Sequence, residues 1–63
     1  MSHTILRMPE VVRRTGLSNS TIYLMIQRGE FPKPAKITRH ASGWPESVID
    51  QWIEDRIKAS VQA

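Results

Sequence analysis

Between two stretches of helical periodicity the chain reads Gly16-Leu17-Ser18. Glycine suits the residue just past a helix, where the backbone turns left-handed. Serine suits the residue just before one, where its hydroxyl accepts an N–H from the first turn. Only about two residues, Leu17 and Ser18, therefore separate two short helices. A turn of this length containing glycine is the spacing of a helix-turn-helix. A plain helical hairpin would satisfy the same spacing.

The first helix runs through Pro9-Glu10-Val11-Val12-Arg13-Arg14-Thr15. Pro9 is expected at the first helical position, and Glu10 complements the positive end of the helix dipole. Met8, Val11, Val12 and Thr15 share one face, with Arg13 and Arg14 off it. The second helix spans Asn19 to Arg28, closed by Gly29 and stopped by Pro32. Leu17 and Ile22 are placed as a hydrophobic staple. Ile22, Met25 and Ile26 form the stripe expected to be buried. Ser20, Leu24 and Gln27 point the other way, flanked by Asn19 and Tyr23 on one side and by Thr21 and Arg28 on the other. A helix that is merely solvated usually carries Glu and Lys there. Short and amide side chains suit close approach to base edges and phosphates.

Two prolines in Phe31-Pro32-Lys33-Pro34 forbid helix next. Ala35 to Thr38 reads as a strand, Arg39 to Ser42 as a polar turn, and Gly43-Trp44 as the returning strand. The hairpin carries Lys33, Lys36 and Arg39, with His40 at its tip. The segment around Ile5 is a candidate third strand. A last helix starts near Pro45 or Ser47 and runs to about Ser60, with Ile49, Trp52, Ile53 and Ile57 as its stripe. Arg56 falls inside that stripe. Its stem is expected to cover apolar surface, with an ion pair to Glu10 as the other option. Trp44, Trp52, Phe31 and Tyr23 are expected to supply much of the core, with the Tyr23 hydroxyl free. Residues 1–4 and 59–63 read as frayed ends, leaving one domain over 1–63 with an ordered core at about 5–58.

At 63 residues the core is worth roughly 3–5 kcal/mol net. Without cysteine no disulfide or Cys-based zinc site can reinforce it, and His3 and His40 lack ligand partners at metal spacing. No metal or cofactor is expected. Nor does any nucleophile–base motif or glycine-rich phosphate loop point to an enzyme. No apolar stretch approaches the roughly 20 residues of a membrane span, and no signal peptide is read, so a soluble cytoplasmic protein is expected. Residues 1–45 sum to +5 and residues 46–63 to −2. A basic front on so small a domain favours an anionic polymer as partner.

The run from Met8 to Tyr23, the block Gly29-Glu30-Phe31-Pro32-Lys33-Pro34, the pair Gly43-Trp44 and the helix containing Ile49-Asp50-Gln51-Trp52-Ile53 resemble AlpA-type phage regulators over about residues 5–57. The resemblance implies a mainly α, MerR-like winged helix-turn-helix with three helices and a short β-hairpin wing, similar to small excisionases. It also implies a DNA-binding regulator of prophage or mobile-element origin, with recognition helix Asn19 to Arg28 and wing about Lys36 to Ser42. Leu24 stands where such proteins often carry Arg or another polar residue, and Asn19 where Arg is frequent. Leu24 suits a thymine methyl or a protein contact.

The expected division of labour is physical: base contacts specify and phosphate contacts set register. Asn19, Ser20, Tyr23, Leu24 and Gln27 are the candidate base readers. Thr21, Arg28 and Arg13 or Arg14 are candidates for phosphate, and Lys36, Arg39 and His40 for backbone or minor groove. A ten-residue helix is roughly 15 Å long, about 4 base pairs. The expected partners are therefore double-stranded DNA together with further copies on repeated sites, RNA polymerase or an integrase. An excisionase role, an antitoxin-like protein adaptor and, third, RNA binding are the competing readings.

Overall fold

The structure, a computed structural model, describes residues 3–62. The order is β1 (Ile5–Leu6), α1 (Met8–Thr15), α2 (Asn19–Gln27), β2 (Ala35–Thr38), β3 (Ala41–Pro45) and α3 (Glu46–Gln62). The three strands form an antiparallel sheet in the order β1-β3-β2. The segment around Ile5 is thus the third strand, pairing Leu6 with Trp44.

The helix boundaries follow the local chemistry. Gly16, at φ 75°, closes α1 and donates its N–H to the Val12 carbonyl. The Ser18 hydroxyl accepts the Thr21 N–H at 3.2 Å, capping α2. At the far end of α2, the N–H of Gly29 reaches Ile26 O and that of Glu30 reaches Met25 O, with Gly29 at φ 74°. These are the paired bonds of a Schellman motif, which satisfy carbonyls the helix leaves open.

Several expected boundaries shift. Met8 opens α1 and Arg7 is its N-cap residue, so Pro9 comes second. Arg28 is the C-cap of α2 rather than part of it. The wing turn is only Arg39 and His40: β3 already begins at Ala41, because Ala41 pairs with Thr38 and Ser42 with Lys36. A bulge between Lys36 and Thr38 adjusts the register. Helix α3 starts at Glu46 and continues through 59–62, where frayed chain was expected. Thr4 is also tied down, its carbonyl accepting the Glu46 N–H at 2.8 Å. Residues 1, 2 and 63 of those expected frayed ends lie outside the described residues.

The buried core consists of Leu6, Val11, Ile22, Phe31, Trp44 and Ile49. Met8, Val12, Leu17, Met25, Ile26, Trp52 and Ile53 pack against it. Each helix and the sheet contribute, so no element buries its apolar face alone. Phe31 is wedged between the indoles, its ring centroid 6.1 Å from Trp44 and 4.7 Å from Trp52. Tyr23 does not join them: it is 58% exposed. The core face of α2 is made by Ile22, Met25 and Ile26, which leaves Tyr23 on the outer side of the helix. Ile57 is also exposed, because α3 has by then run past the surface its stripe covers.

Gly43 marks the tightest contact. A β-carbon there would stand 2.6 Å from Ile5 Cγ2 and 2.7 Å from the Leu6 carbonyl oxygen. The connector after α2 is fixed by the indoles. Trp44 Nε1 donates to Pro32 O at 2.8 Å, and Trp52 Nε1 to Glu30 O at 3.0 Å. Arg56 lies over the Trp52 ring, 4.9 Å from its centroid, and donates to the same Glu30 carbonyl at 3.1 Å. The guanidinium head rather than the stem therefore meets the apolar ring, and it bonds a backbone carbonyl where water was expected; the Glu10 alternative is not realised. Among the described residues no helix is long and apolar enough to cross a membrane.

Candidate nucleic-acid interface

Helix α2 buries Ile22, half-buries Met25 and Ile26, and exposes everything else. Asn19, Ser20, Thr21, Tyr23, Leu24, Gln27 and the following Arg28 all face solvent. Leu24, 45% exposed, has no partner in the core. The face is continuous because Ser18 and the Schellman closure fix both ends of the helix in one rotation about its axis. Thr21 is partly committed at its first turn, its hydroxyl 2.9 Å from that of Ser18.

The wing stands beside this face. All of β2 is exposed, as are Arg39 and His40. Lys36, Arg39, His40 and Ser42 border one groove along it. A second cleft, of about 500 Å³, lies between wing and helix, bordered by Tyr23 from α2, Pro34, His40 and Ser42 from the wing region, and Arg7 from the start of α1. Arg7 was not singled out by sequence reasoning. It stands alone before α1, and only the meeting of three distant segments gives it neighbours.

The two arginines of α1 separate. Arg13 is an exposed side chain (74%) paired with Glu10. Arg14 is half-buried and turned toward α3, 2.9 Å from Glu46 and 3.7 Å from Asp50, with Glu10 at 3.8 Å. Two of the four acidic residues of α3 are thus engaged by α1. Among the described residues no ion pair involves Arg28, Lys33, Lys36 or Arg39. Nor does any involve Arg7, so the positive charge available to a partner lies at Arg7 ahead of α1, at the end of α2 and along the wing.

Two helices joined by a tight turn, with a β-hairpin flanking the second, define a winged helix-turn-helix. Residues 4–57 match the family described as prophage CP4-57 regulatory protein (AlpA), and the chain belongs to that family. It is similar to an uncharacterized protein, ORF88, of Enterobacteria phage P4, with 42% identity over 52 residues. That alignment covers 82% of this chain and 59% of the phage protein, so the chain spans less than two thirds of that relative. It is also similar to the DNA-binding transcriptional activator AlpA of Escherichia coli (strain K12), with 35% identity over 60 residues, 86% of each chain.

Proposed function

We propose that the chain is a sequence-specific, DNA-binding transcriptional regulator of prophage or mobile-element origin. The observation that carries this reading is the outer face of α2, where Asn19, Ser20, Thr21 and Gln27 stand exposed around Tyr23 and Leu24, set beside an exposed basic wing. The name of the Escherichia coli relative, a DNA-binding transcriptional activator, favours transcription over excision.

Asn19, Ser20, Leu24 and Gln27 read base edges in the major groove, with Tyr23 at the edge of that face. Leu24 meets a thymine methyl, the apolar feature of that groove. Thr21, Arg28 and Arg13 hold phosphates, and Lys36, Arg39 and His40 hold the backbone or minor groove from the wing. Arg14 is left out of this set, because its guanidinium is occupied by Glu46 and Asp50. The nine residues of α2 rise about 14 Å, roughly 4 base pairs. Specific use therefore involves several copies on repeated sites or a partner such as RNA polymerase or an integrase.

Mobility shift on DNA upstream of the chain's own gene, and of any neighbouring integrase gene, tests this. Binding should weaken with salt, each neutralised phosphate adding about −0.9 to the log–log slope. Gln27→Ala should change which base is preferred at one position, while Arg39→Ala should weaken all sequences alike. Salt-independent binding would sink the phosphate contacts, and identical losses from both variants on every sequence would mean the roles are misassigned.

A further inference from the structure

We propose that the cleft between α2 and the wing seats one DNA-backbone phosphate with its flanking deoxyribose, and that Arg7 is the cation of that seat. The inference rests on the DNA-binding reading above and extends it to a site. Arg7, Tyr23, His40 and Ser42 come from three segments distant in sequence and border the same space. A guanidinium, a phenol, an imidazole and a hydroxyl each offer a hydrogen-bond donor, the requirement of a phosphate oxygen. Among the described residues no carboxylate borders the cleft, whereas the clefts along α3 include Asp50, Glu54 or Asp55.

Size and wall chemistry select the ligand. The open cleft, of about 500 Å³, has room for a phosphate together with its sugar. Pro34 and Trp44 add apolar wall, suited to a sugar. The cleft also shares Pro34, His40 and Ser42 with the wing groove that holds Lys36 and Arg39. The two form one acid-free track from α2 across the wing, matching a continuous nucleic-acid strand. The Arg7 stem passes Gly43 of β3, its Cδ 3.5 Å from where a β-carbon on that glycine would stand. In this assignment Tyr23 positions the backbone and does not read bases.

The test uses the full chain and a duplex enriched by it from random sequence, with phosphates replaced one at a time by neutral methylphosphonates. Arg7→Gln should lower affinity by one common factor on matched and base-substituted duplexes, and should shrink the salt slope by about 0.9. Tyr23→Phe should lower affinity without reordering base preference. A single methylphosphonate position should erase the difference between each variant and the unaltered chain. A folded Arg7→Gln chain with unchanged affinity and slope, or a changed base preference in Tyr23→Phe, overturns the seat and leaves the DNA reading standing. If the unaltered chain enriches no duplex, both fall. If Arg7→Gln does not fold, Tyr23→Phe decides alone: a methylphosphonate whose effect disappears in that variant supports the seat, and the lack of any such position overturns it.

Discussion

Two glycines illustrate how differently single residues constrain this chain. Gly16 has open space where a β-carbon would go, and only its φ of 75° requires glycine. Asparagine tolerates that conformation, so Gly16→Asn should cost little. Gly43 has an ordinary backbone and no space, with the Ile5 side chain and the Leu6 carbonyl both under 3 Å from an added β-carbon. The Leu6 carbonyl belongs to β1 and cannot swing aside without losing the strand. Gly43→Ala should therefore destabilise by about 1–3 kcal/mol, the usual cost of overpacking. Against a net stability of roughly 3–5 kcal/mol, urea titration should show a clearly lowered midpoint. A midpoint unchanged from the parent chain would mean that β1 is not held as described.

At the scale of elements, helices α1 and α2 are largely legible, because their signals are local. Ser18, Gly16 and Gly29 act within a few residues, and the stripe of Ile22, Met25 and Ile26 follows from periodicity alone. Errors arose where distant parts decide. Periodicity identifies the apolar face of α3 but not where its partner surface ends, hence the exposed Ile57. Composition marks Tyr23 as apolar-bodied, but its place on the outer side of α2, away from Ile22, Met25 and Ile26, decides its exposure. Strand pairing, not residue type, moves Ala41 and Ser42 from turn to strand. The exposed face of α2 was similarly readable, whereas the cleft holding Arg7 needed three segments to be assembled. Packing between elements also supplies a prediction. Trp52→Phe keeps a ring against Phe31 and removes the N–H donated to Glu30 O. The expected loss is about 0.5–1.5 kcal/mol, typical of one hydrogen bond. Combining Trp52→Phe with Arg56→Ala, which removes the other donor to that carbonyl, should give a double variant whose urea-derived loss differs from the sum of the two single losses.

For the molecule as a whole, the charge asymmetry of the sequence divides into an internal and an external part. Arg14, Glu46 and Asp50 clasp α1 to α3, while Arg28, Lys33, Lys36 and Arg39 stay outside. Arg14→Gln should cost under about 1 kcal/mol, since partly exposed ion pairs contribute little, and should leave the salt slope of DNA binding unchanged. A slope reduced by about 0.9 would instead place Arg14 on a phosphate. The connector between α2 and the wing adds a practical consequence. Its carbonyls at Glu30 and Pro32 are each held by an indole N–H, and the chain contains two tryptophans in all. Every intrinsic fluorophore of the tryptophan type therefore sits at the joint between the two parts proposed to grip DNA. Emission from the unlabelled chain reports on that joint, so a duplex that pries helix and wing apart would announce itself as a spectral shift, while rigid docking would leave the colour of the emission as it was.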